Sequence, residues 1–101
     1  MPLKTTPFDT ADYLDSPDAT AAYIDAVFED GDPALVTRAL GAVARARGMT
    51  QVARDAGLSR ESLYRALGPE GNPEFATVVR VLKALGLRLK ATPTDKTAGV
   101  A

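Results

Sequence analysis

Twice in this chain a capping residue is followed at once by proline and, one long helix later, by glycine. Ser16-Pro17 leads to Gly31, and Asp32-Pro33 leads to Gly48. A Ser or Asp side chain accepts from the free amides of a helix's first turn. Proline just inside that turn gives up an N–H that had no partner anyway, and glycine is a common stop. Two helices are therefore predicted, over 17–30 and 33–47. Ala21, Ile24, Val27 and Phe28 stripe the first; Val36, Leu40 and Val43, flanked by Ala39 and Ala44, stripe the second.

After Gly48 the segments shorten. Thr50 is expected to open a helix that ends at Gly57, and Ser59 another that ends near Gly68. Asn72-Pro73 is expected to cap a fifth, striped by Phe75, Val78, Val79, Leu82 and Leu85 and closed by Gly86. Upstream, Asp9 is placed as the cap of a single turn carrying Ala11, Tyr13 and Leu14. Leu87-Arg88-Leu89-Lys90-Ala91 alternates with period two, the pattern of a short half-buried strand. The expected fold is all-α, about five helices with a short C-terminal β-strand. It divides into an acidic helical segment over 1–32, a domain over 33–91 and a loose tail over 92–101.

Absences narrow the chemistry. The chain has no Cys and no His, so a Cys/His zinc site, a Ser-His-Asp triad and a histidine general base are excluded. Its glycines are scattered as punctuation and form no phosphate-binding loop. An enzyme is not expected, nor a cofactor or a metal. No apolar run approaches the ~20 residues that span a bilayer, and MPLKTTPFD lacks the hydrophobic block of a signal peptide. The expected compartment is the cytoplasm.

The net charge of −1 conceals a split. Residues 1–32 hold eight acids against Lys4, a balance of −7, while residues 33–101 hold eleven Lys and Arg against five acids, a balance of +6. Such a division separates a part that faces nucleic acid from a part with another partner, or simply sets an acidic solvated helix beside a basic one.

The stretch TQVARDAGLSRESLYRAL, residues 50–67, carries the functional signal. Two short helices joined through a glycine, inside an all-helical domain, point to a helix-turn-helix. Ala53 stands where the helices cross, Gly57 supplies the positive φ of the turn, and Ser59 caps the second helix. With Val52, Ala56, Leu58, Leu63, Ala66 and Leu67 inside, Arg60, Glu61, Tyr64 and Arg65 are left facing solvent. Arginine in a helix's first turn opposes the macrodipole, so it is a poor choice for stability. It is a good choice for reading guanine, whose O6 and N7 accept a bidentate guanidinium. Glu61 can accept from cytosine N4 or orient an arginine; Tyr64 can meet a phosphate or a thymine methyl. The same four residues would also serve as an ordinary solvated face, and it is the Ala53–Gly57–Leu63 framework that favours DNA reading.

Phosphate contacts are expected from Thr50 and Gln51 at a helix N-terminus, from Arg54 and Ser59, and from Asn72, which is read as a cap first. Arg45 and Arg47 are expected to add to the phosphate field.

On these residues, 33–91 resembles a lambda-repressor-like (Xre-type) domain. The chain from about Phe8 to Pro93 resembles the probable addiction-module antidote proteins, the HigA-like antitoxins. The resemblance rests on DTADYLDSPDATAAYIDAVFEDGDPALV and on ALGAVARARGMTQVARDAGLSRESLYRALGPEGNPEFATVVRVLKALGLRLKATP, whose closing GNPEFATVVRVLKALGLRL is not shared by generic helix-turn-helix proteins. One departure is that Thr50-Gln51 stands two residues nearer Ala53 than in that pattern. The resemblance implies the antitoxin of a type II toxin–antitoxin module, a homodimer that represses its own operon at a double-stranded DNA operator and binds a small RelE/ParE-type toxin. The acidic segment would steer toward such a basic toxin, with Tyr13, Leu14, Tyr23 and Phe28 as anchors. The competing reading is a stand-alone Xre-type repressor with no toxin partner.

Overall fold

Ser16 acts as its place before a proline predicts: its Oγ accepts from the Ala19 amide at 3.1 Å, and helix α1 runs Pro17–Asp30 to Gly31. Asp32 repeats the device, accepting from the Ala34 amide at 3.0 Å, and opens α2, Pro33–Arg47. Three shorter helices follow: α3, Met49–Ala56; α4, Arg60–Leu67; and α5, Phe75–Ala84. This computed structural model describes residues 16–94; the turn expected at Asp9–Leu14 and the tail beyond Thr94 lie outside that range.

The helices enclose one core. Leu40 and Val43 of α2, Leu63 of α4 and Val81 of α5 are fully buried at its centre. α3 lies against α5, α4 and α2, and α2 also holds α1 and α4. Ile24 and Val27 of α1 enter the same cluster, so the acidic helix is docked rather than free. Gly41 lets α4 come close to α2: a Cβ there would stand 3.0 Å from the Leu67 carbonyl oxygen.

Four sequence expectations change. Residues 87–94 form no strand, and none of the described residues is in one; a strand needs a neighbour for its N–H and C=O groups, and this segment has none among the described residues. α3 begins at Met49 with Gly48 as its cap, so Thr50 stands inside the first turn. Buried Met49 draws the chain into the helix one residue early. Asn72-Pro73 does not cap α5, because Glu74 takes that position with extended backbone and no side-chain bond. Phe75 is 70% exposed. As the first residue of α5 it projects back beyond the turn, and the buried side of the helix is Val81, Leu82 and then Leu85.

One polar contact ties three helices. Arg47 sends Nη1 to the Leu85 carbonyl at 3.4 Å and Nη2 to the Thr20 hydroxyl at 3.3 Å. Its Nε is buried without a partner among the described residues. Arg47 therefore turns inward, which corrects its assignment to the phosphate field.

Candidate functional site

The α3–α4 corner is built by a backbone switch. Gly57 takes the left-handed conformation, φ +74°. Its amide donates to the Arg54 carbonyl at 3.1 Å, and that of Leu58 to the Ala53 carbonyl at 2.9 Å. This paired closure satisfies two carbonyls that the end of α3 would leave open, with Leu58 packing behind it. Ser59 then starts α4 at once. Its Oγ accepts from the Ser62 amide at 3.0 Å and donates to the Ser62 hydroxyl at 2.9 Å.

Because Leu63 and Leu67 are buried in the core, the rotation of α4 is set. Arg60, Glu61, Tyr64 and Arg65 are all exposed, and their spacing places them on one face. Arg60 rests against Tyr64, its guanidinium carbon 5.3 Å from the ring centroid and its Nη2 donating to the hydroxyl at 3.3 Å. Behind them Ala53 is 3% exposed.

The expected phosphate contacts scatter. Thr50, Gln51, Arg54 and Ser59 are exposed on and beside α3. Gln51 is engaged along the helix, donating to Asp55 at 2.9 Å. Asn72 instead lines a groove of about 260 Å3 with Phe28, Pro33 and Thr37, to which neither α3 nor α4 contributes. Among the described residues no cluster of acids is suited to a metal ion, and no helix is long and apolar enough to cross a membrane.

Of the four partner anchors, Tyr23 packs half-buried against the core, while Phe28 stays 37% exposed. Tyr13 and Leu14 lie outside the described residues. Two features escaped the sequence reading. One is Arg47 and its acceptor; the available signal was Thr20, a polar residue four before Ile24 on the buried stripe. The other is a second, larger groove between α1 and the segment after α5.

A family-wide sequence profile described as "probable addiction module antidote protein" matches residues 4–93. An uncharacterized protein of Haemophilus influenzae (strain ATCC 51907 / DSM 11121 / KW20 / Rd) is 48% identical over 83 residues, covering 82% of this chain and 86% of the relative. No solved structure matches the chain.

Proposed function

This chain belongs to the probable addiction module antidote family, and from that premise we propose that it is the antitoxin of a type II toxin–antitoxin module. In this reading it acts in the cytoplasm as a homodimer, binds a small RelE/ParE-type toxin, and represses its own operon through an α3–α4 helix-turn-helix.

The observation that carries the DNA half is the outward face of α4. Two arginines, a glutamate and a tyrosine stand together on a helix whose other side is locked by Leu63 and Leu67. Eight residues make a helix ~12 Å long, which suits a major groove ~12 Å wide. Arg60 and Arg65 supply the forks for guanine, and Glu61 and Tyr64 supply an acceptor and a flat apolar edge. Thr50 and Gln51 in the first turn of α3, with Arg54 and Ser59, are suited to the flanking phosphates. Asn72 is the weakest of that set, since no residue of α3 or α4 lines its groove.

The toxin half rests on α1. Asp18, Asp25, Glu29 and Asp30 are exposed there without a basic residue in the helix, a field that steers toward a basic surface. Phe28 is the accessible anchor among them, with Tyr13 and Leu14 upstream; Tyr23 contributes only its half-exposed side.

The test has two arms. The purified chain is titrated against the DNA upstream of its own gene, and it is co-expressed with the product of the adjacent gene. Retarded DNA and rescue of growth together support the antitoxin. Retardation without capture of the neighbour leaves the stand-alone repressor, and no retardation removes the reading of α4.

A further inference from the structure

The larger groove runs between α1 and the segment that leaves α5, with a volume of about 510 Å3. Buried Ile24 and Leu82 line it, Asp25 stands on the α1 wall, and Arg88, Leu89 and Lys90 stand on the other. Gly86, φ +81°, and the Leu87 amide, which donates to the Leu82 carbonyl at 2.8 Å, throw the chain out along this course. From Arg88 to Ala91 the main chain makes no backbone hydrogen bond among the described residues, and Leu89 is 42% exposed. A non-helical segment whose sequence alternates apolar and basic residues, with its backbone unpaired among the described residues and an apolar trough beside it, is a template for another strand.

We propose that residues 87–91 pair antiparallel with the same residues of a second copy, each strand lying in the other's groove. The register supports this occupant. Centred on Leu89, pairing sets Leu89 against Leu89 of the second copy and Leu87 against its Ala91, so one face is apolar throughout. The layers then run α1, second strand, first strand, second α1, an arrangement that closes under two-fold symmetry. Charge agrees as well: Arg88 and Lys90 of one copy enter a groove whose wall carries Asp25 and whose helix is otherwise acidic. That contact offsets the like charges of Arg88 and the facing Lys90 across the pair. No residue of α3 or α4 lines the groove, so the outward face of α4 stays free on both copies. Phe28 also lines the smaller groove, and that side remains open to another protein. The inference deepens the homodimer of the proposed function by assigning its interface.

Sedimentation of the full chain, without DNA or toxin, tests it separately from the rest of that reading. The wild-type chain is expected to be a dimer at micromolar concentration. Leu89→Asp is expected to weaken the dimer by roughly tenfold or more with helix content unchanged, since the side chain is outside the core. Asp25→Lys and Lys90→Asp should each weaken it, and mixing the two variants should restore a dimer with one chain of each. Only a contact between copies can be repaired by mixing. A wild-type monomer, an unaffected Leu89→Asp dimer or a mixture that stays apart overturns the proposal. So does a monomer whose Leu89→Asp variant loses only toxin capture, which would give the groove to the toxin.

Discussion

Arg60 leans on Tyr64 one turn further along α4, with its guanidinium carbon 5.3 Å from the ring centroid and its Nη2 3.3 Å from the hydroxyl. The contact holds a long side chain along the exposed face before any ligand arrives. At an exposed site such a pair is worth only about 0.5–1 kcal/mol. In the proposed reading the arginine can therefore be exchanged onto a base edge that accepts two hydrogen bonds.

Removing either fork should be costly on one sequence only. Arg60→Ala and Arg65→Ala are each expected to lose about 1–3 kcal/mol on the specific site and much less on random DNA. Arg54→Ala should weaken both alike and lower the salt slope by about one. Gel-shift titrations at several salt concentrations check this; specific binding left intact by both α4 variants would show that α4 does not read the bases.

Gly57 isolates a backbone effect. A Cβ there would meet nothing within 4 Å, so substitution costs conformational strain and not a clash. Gly57→Val is expected to destabilise by about 1–3 kcal/mol, and Gly57→Asn by less, because Asn tolerates the left-handed region. Thermal melts should rank the three chains Gly, Asn, Val.

Thr20 and Arg47 should behave as one unit. The Thr20 hydroxyl is buried, donates to the Ser16 carbonyl at 2.9 Å and accepts from Arg47. Thr20→Val keeps the shape but strips a half-buried guanidinium of an acceptor, an expected loss of about 1–3 kcal/mol. Arg47→Met removes the unpartnered Nε together with the charge. The double variant should cost less than the two singles combined. Strictly additive values from urea denaturation would show that the two do not interact.

Deleting residues 1–31 should unfold the chain or leave it barely cooperative. Ile24 and Val27 are 5% and 8% exposed, and losing two such side chains from the core removes about 3–6 kcal/mol from a domain that has about 5–15 to lose. A sharp melt near the wild-type temperature would refute this. Toxin capture is accordingly better probed with Phe28→Ser, whose side chain is already partly in water.

These positions also show how far local chemistry is legible in the sequence. Ser16-Pro17 and Asp32-Pro33 cap as expected because each signal acts within three residues. The Gly57-Leu58 closure is equally local, and the outward face of α4 followed from the burial of Leu63 and Leu67. Asn72-Pro73 carried a signal of the same kind and misled, because the start of α5 is decided by its packing on α3, a contact distant in sequence. Phe75 was misplaced for the same reason. Leu87–Ala91 does alternate, but alternation sets only which side chains share a face, and a strand also requires a neighbour. Arg47 resembled the surface arginines around it until two distant segments supplied its acceptors.

In the proposed reading, the fourth helix keeps its two tasks on separate residues. Leu63 and Leu67 are buried in the core, while Arg60, Glu61, Tyr64 and Arg65 are exposed. A duplicated copy of this gene could therefore rewrite those four codons step by step and still fold at every stage. If α4 reads bases as proposed, neighbouring lineages in one genome could drift to separate vocabularies on an unchanged scaffold.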